Sequence, residues 1–134
     1  MKALYEAVSG PMNEDRTCFK AVFLPDARLM PLVKDKDTGR VAPHIMTVQD
    51  WVDRIAKRGP ENFFEKQVKG TTETWGDEAH VWSTYESFHE QGGEAFARGI
   101  NSVQAIFDGK NWKIISIQWQ AETPEQRVPK KYLP

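Results

Sequence analysis

Between Asn62 and Ala121 the side chains alternate with a period of two, and three short breaks interrupt the pattern. The breaks are Gly76-Asp77, Gln91-Gly92-Gly93 and Asp108-Gly109-Lys110-Asn111, all rich in residues that favour tight turns. Four strands are expected, about Phe63–Trp75, Glu78–Glu90, Ala95–Phe107 and Trp112–Ala121. Connections this short force neighbouring strands to pair antiparallel, as a meander. Such a sheet needs a cover, and the first 60 residues have to supply it.

Those residues read mainly as helices. Leu4, Ala7 and Val8 form one face of a short helix that Gly10-Pro11 ends. A second helix is expected from an Asn13 N-cap to Phe23, with Cys18, Phe19 and Val22 as a buried apolar stripe and Pro25 as its stop. Ala27 to Val33 looks extended, and Lys34 to Arg40 is a hairpin tip returning into Val41 to Ile45. Thr47 caps a third helix with Asp50 three residues on; Val48, Trp51, Val52 and Ile55 form its stripe and Gly59-Pro60 stops it. The tail from Pro124 to Pro134 carries three prolines and should lie extended against the rest. The expected class is α+β, with three N-terminal helices on one side of a curved, mainly antiparallel sheet, in one domain over residues 1–134.

Charge narrows the function. Eighteen basic and 19 acidic side chains give a net charge of -1, which argues against a general nucleic-acid or membrane-surface binder. A single cysteine excludes an internal disulfide, and three scattered histidines, His44, His80 and His89, give no metal-ligand spacing, so no metal or cofactor is expected. No apolar run approaches the roughly 20 residues needed to span a bilayer, and Met1 to Glu6 lack the apolar core of a signal peptide, so a cytoplasmic location is expected.

Pairing the strands through their turns sorts the side chains into two faces. One is small and flat, with Ala79, Val81, Ser83, Tyr85, Gly99, Asn101, Val103, Ser116 and Gln118. The other is bulky, with His80, Trp82, Glu86, Phe88, Arg98, Ile100, Gln104, Ile115, Ile117 and Trp119. Neither reads as a solvent face, and helices can cover only one of them in so short a chain. The bulky face is therefore expected beneath the helices, and the flat face against a second copy.

Three helices, a hairpin between the second and third, and a meander closing on Asp108-Gly109-Lys110-Asn111-Trp112-Lys113-Ile114-Ile115-Ser116-Ile117-Gln118-Trp119 resemble the nuclear transport factor 2-like superfamily. Together with Phe96-Ala97-Arg98-Gly99-Ile100-Asn101-Ser102, that stretch is most similar to the superfamily's uncharacterised bacterial members, of the polyketide cyclase (SnoaL-like) and ketosteroid isomerase type. The resemblance implies a cystatin-like α+β cone with a pocket at its open end, and commonly a homodimer through the sheet. Isomerase members place a carboxylate base and a tyrosine or carboxylic-acid pair in the cone, and no aspartate falls among the residues expected inside on the last strands. The kinase association domains offer a closer parallel, in their final hairpin and an inward-facing arginine that Arg98 loosely matches.

Three functional readings follow. The leading one is a small-molecule-binding cone for an apolar or aromatic ligand, with Arg98, Glu86, Gln104 and His80 as polar anchors and Trp51, Trp82, Ile117 and Trp119 as walls. Arg98 and Glu86 equally read as a cross-strand ion pair, and the aromatic wall as plain core. The second is a cofactor-free isomerase, cyclase or dehydratase with His80 as the catalytic base, held by Glu73. The third is a non-catalytic dimerisation module. In all three Tyr85, Asn101, Ser116 and Gln118 are expected at the dimer interface.

Overall fold

The computed structural model describes residues 1–12, 14–57 and 61–134. Three helices, α1 (Lys2–Val8), α2 (Thr17–Lys20) and α3 (Val48–Ala56), precede or interrupt six strands. The strands are β1 (Phe23–Lys34), β2 (Val41–Pro43), β3 (Phe64–Trp75), β4 (Glu78–Phe88), β5 (Ala97–Phe107) and β6 (Trp112–Ala121). They form one curved sheet in the order β2-β1-β6-β5-β4-β3. Every pairing is antiparallel except β1 with β6.

The expected meander is the C-terminal part of a larger sheet. β1 starts at Phe23 rather than near Ala27 and runs through Pro25 and Pro31, with an irregularity between Phe23 and Arg28 where its pairing with β6 shifts. A proline cannot donate a ladder hydrogen bond, so such an irregularity is where one fits. The second helix shrinks to the single turn Thr17–Lys20, because Phe23 is already the first residue of β1. Cys18 is exposed instead of buried on a stripe. The expected N-cap at Asn13 and the stop at Gly59-Pro60 lie outside the described residues. α3 begins as its sequence indicates: Thr47 Oγ1 accepts from the Asp50 backbone N–H, and the Asp50 carboxylate accepts from the Thr47 N–H at 2.8 Å. No helix among the described residues is long and apolar enough to cross a membrane.

The core lies between the helices and one face of the sheet, here termed the inner face. Leu4 and Val8 of α1, Phe19 of α2, and Val48, Trp51 and Ile55 of α3 pack onto Leu29, Val81, Val103, Ile114 and Ile117. Phe19 stacks on Trp51 with ring centroids 4.1 Å apart. Val103 is 1% exposed and Ser83 is fully buried, so the small, flat set of side chains is the one beneath the helices. That reverses the expected assignment. The physical reason is volume: the helices bring Tyr5, Phe19 and Trp51 to the contact, and only small residues opposite them allow close packing.

The other face, the outer face, carries Trp82, Glu86, Arg98, Ile100 and Gln104. Part of it is covered by the chain's own C-terminus. After β6 the backbone turns at Thr123–Gln126 and runs back over β5 and β4, ending in a 3₁₀ turn at Lys130–Tyr132. Thr84 Oγ1 donates to the Tyr132 carbonyl at 2.7 Å, and Lys69 Nζ donates to that of Leu133 at 2.7 Å.

A polar cluster beneath the first helix

Two bulges decide which side chains reach the inner face. In β3 the pairing with β4 shifts between Gln67 and Lys69, leaving Val68 as the extra residue. Glu73 stands opposite His80 on the outer face, but on the far side of the bulge Glu65 and Gln67 stand opposite Ser87 and Tyr85, on the inner face. In β6 the shift falls between the partners of Gln104 and Ala105, at Ile115. Beyond it Ile117 pairs with Val103 and Trp119 with Asn101, so both turn inward, while Ser116 and Gln118 turn outward.

The result is a polar cluster beneath α1. Tyr5 is 6% exposed, and its hydroxyl lies 2.7 Å from Ser83 Oγ. Asn101 Nδ2 donates to the Tyr5 oxygen at 3.1 Å, and Gln67 Nε2 donates to Ser83 Oγ at 2.7 Å. Ser87 Oγ donates to the Glu65 carboxylate at 3.0 Å. Tyr85 lies across Gly99, where a Cβ would sit 2.6 Å from the Tyr85 hydroxyl oxygen. Burial pushes the Tyr5 phenol up to about 12, against the hydrogen bonds of Ser83 and Asn101 and with help from the negative charge of Glu65. The Tyr85 phenol is raised further, by burial first and then by Glu65 and Tyr5. Both tyrosines therefore stay protonated and can act as hydrogen-bond donors at neutral pH.

Two amide N–H groups already fill acceptor positions on Tyr5 and Ser83. The hydroxyl pair shares one hydrogen between its oxygens, so among the described contacts its second hydroxyl hydrogen is left for another acceptor.

Two separate spaces border this cluster. A half-open interior cavity of about 70 Å³ is bounded by Phe19, Trp51, Phe63, Glu65, Asn101 and Trp119, among others. A groove of about 730 Å³ runs between α1 and β3, past Tyr5, Ser9, Glu65, Gln67 and Phe88. Glu65 lines both.

The expected site residues divide between the two faces. Trp51, Ile117 and Trp119 line the interior cavity. Tyr85 and Asn101, expected at a dimer interface, are instead buried beneath the helices, 4% and 3% exposed. Trp82, Glu86, Arg98, Gln104 and His80 lie on the outer face and line neither the cavity nor the groove. Arg98 donates to Glu86 through Nε at 3.1 Å and Nη2 at 2.8 Å, and Glu122 approaches to 3.8 Å, which makes the group a surface ion network rather than an anchor in a cone. His80 is half-exposed, with Nε2 3.3 Å from Ser102 Oγ and Nδ1 3.9 Å from Glu73. Sequence reading missed Glu65, Tyr5, Ser83 and Gln67 as one group. The residue parity of an unbroken strand places Glu65 beside Glu73, and only the bulge at Val68 separates them.

No protein-family model matches the chain, and no curated sequence matches it as a relative. Solved structures do. An NTF2-like protein of unknown function from Pseudomonas putida superposes with a TM-score of 0.68 at 12% identity, covering 99% of this chain and 90% of its own. A calcium/calmodulin-dependent kinase II association-domain-like protein from Exiguobacterium sibiricum gives 0.65 at 13%, covering 92% and 88%. A ketosteroid isomerase-like protein from Parabacteroides distasonis gives 0.59 at 11%, covering 92% and 86%. With its six-strand curved sheet and helices on one face, the chain has the fold of the nuclear transport factor 2-like superfamily.

Proposed function

We propose that the chain is a cytoplasmic small-molecule-binding protein whose ligand lies in the groove along α1 and inserts a polar end toward Glu65, Tyr5 and Asn101. The observation that carries this reading is the position of Glu65, which lines both the open groove and the interior cavity. Magnitudes decide the pose. The interior cavity has room for two or three water-sized groups, at about 30 Å³ for each water. The groove is within the range of small-molecule sites, roughly 300–1,000 Å³. A thermal-shift screen of small carbonyl, hydroxyl and amine compounds tests it. Stabilising compounds should lose their effect in Glu65→Gln and Asn101→Leu and keep it in Arg98→Ala; loss in Arg98→Ala alone would overturn the reading.

A second reading is favoured by one specific arrangement, a carboxylate on the same inner face as two protonated tyrosines. Glu65 then serves as a general base, and a tyrosine hydroxyl donates to a developing oxyanion, in a cofactor-free isomerase, cyclase or dehydratase. Exchange of ketone α-protons in deuterated water, followed by NMR, should then fall with Glu65→Gln and persist in His80→Ala.

Self-association belongs to the outer face in this reading. The C-terminus leaves its hairpin end uncovered, where Trp75 and Ile106 are 82% and 38% exposed. Ser116 and Gln118 turn outward on the same face. A homodimer through this region should dissociate in Ile106→Asp, as read by analytical ultracentrifugation.

A further inference from the structure

The two edges of the sheet are guarded unequally. At one, β2 is three residues long and ends in Pro43, so it offers little ladder for another strand to extend. At the other, β3 runs for 12 residues without a proline. Its first half is held by the segment after α1, where Ser9 Oγ accepts from the Glu65 N–H at 2.8 Å and Gly10 bridges to Phe63 just ahead of the strand. Beyond the bulge at Val68, every residue from Lys69 to Trp75 is exposed, and among the described contacts no backbone hydrogen bond reaches this stretch from outside the ladder with β4. Such an edge turns unpaired N–H and C=O groups outward and is a template for one more strand.

Charge identifies that strand. Lys69, Thr71 and Glu73 stand on the outer face, opposite Thr84, Trp82 and His80. If the stretch pairs antiparallel with its own copy, about a two-fold axis through Thr71 and perpendicular to the sheet, Lys69 faces Glu73 of the second copy, Glu73 faces its Lys69, and the two Thr71 side chains meet. Moving the axis to Gly70 or Thr72 sets Lys69 against Thr71 or Trp75 and loses both ion pairs. Both charges are accessible. The Glu73 side chain is 81% exposed, and Lys69 Nζ gives the Leu133 carbonyl one of its three hydrogens.

We propose that Lys69–Glu73 of β3 is a docking edge for a second copy of this chain, joined antiparallel about Thr71 so that the two sheets become continuous. Opposite charges and a Thr–Thr pair on facing strands are each favourable. A lysine on an open edge discourages foreign strands, and here it admits the one that carries Glu73 in register. The contact is short against the roughly 20–30 residues a side of a standard interface, so the dimer is weak and forms by mass action. It lies at the rim of the sheet, apart from the outer-face contact, and neither rests on the other.

Cysteine trapping in the Cys18→Ser protein reads the register. Thr71→Cys sets the two thiols directly opposite, with Cα atoms about 5 Å apart and within disulfide reach. Thr72→Cys, also exposed, sets them on a diagonal about 7–8 Å apart, beyond that reach. Under a mild oxidant Thr71→Cys should give covalent dimer and Thr72→Cys little. Lys69→Glu or Glu73→Lys, added to Thr71→Cys, should slow trapping about tenfold, because each sets two like-charge pairs face to face. Mixing those two proteins should recover it, since the mixed pair is again opposite in charge at both places. Equal trapping at Thr71→Cys and Thr72→Cys, a mixture as slow as either protein alone, or trapping abolished by Ile106→Asp overturns the proposal.

Discussion

The two faces of the sheet are built from the same strands and packed by different means. The inner face is small and polar at its centre, with Ser83, Asn101 and Val103 nearly inaccessible, because α1, α2 and α3 bring the large side chains to it. The outer face carries its own bulk, Trp82, Ile100 and the Arg98–Glu86 pair, because only a narrow C-terminal segment lies over part of it. Large side chains on a strand therefore do not by themselves mark the core side. Where helices supply volume, the strand facing them has to give it up.

Substitutions can test this asymmetry. The largest effect is expected at Gly99, where a Cβ would run into the Gln120 carbonyl oxygen and meet the Tyr85 hydroxyl oxygen at 2.6 Å. Gly99→Val should cost about 3 kcal/mol in urea unfolding, whereas Gln104→Val, on the exposed outer face, should change stability by under about 0.5 kcal/mol. Next is a pair of truncations. Leu29→Ala, at a residue 2% exposed, should cost about 3 kcal/mol. Trp75→Ala removes a larger side chain, but one 82% exposed, and should shift the unfolding midpoint little. Equal costs for the two would break the comparison.

The smallest effect is electrostatic and lies on the outer face. The hydrogen bond from Arg98, with added charge from Lys66, holds the Glu86 carboxyl below its ordinary 4.5. A lowered folded value means stabilisation that is complete above the unfolded value and is lost as pH falls through the folded one. Arg98→Ala should therefore cost about 0.5 kcal/mol at pH 7, and the difference from the wild type should shrink as Glu86 protonates. Parallel denaturation curves at neutral and acidic pH measure it. A gap that widens toward acid would contradict the assignment.

Much of this architecture is written in local signals. The Asp108-to-Asn111 turn, the Thr47–Asp50 cap and the facing pairs Glu86–Arg98, His80–Gln104 and Tyr85–Gly99 all follow from turn residues and a two-residue period, and all are present. Three things were not legible. The sheet's enlargement by β1 and β2 depends on a parallel pairing between residues about 90 positions apart, which no turn announces. The choice of face depends on helix side chains distant in sequence. The site depends on single extra residues, Val68 and Ile115, each of which turns the following part of its strand over. Ile117 and Trp119 were expected inside through two errors that cancel, the reversed face and the missed bulge. Glu65 had no such compensation, so the cluster around it was missed.

The central claim is that the polar group beneath α1, and not the charged group on the outer face, receives the polar end of a ligand. A crystal structure of the protein with a stabilising compound from the thermal-shift screen tests it most directly. The account predicts the compound's body in the groove between α1 and β3, with a polar atom within hydrogen-bond distance of Glu65, Tyr5 or Asn101. A compound held by Arg98, Glu86 or His80, with the groove empty, would contradict it.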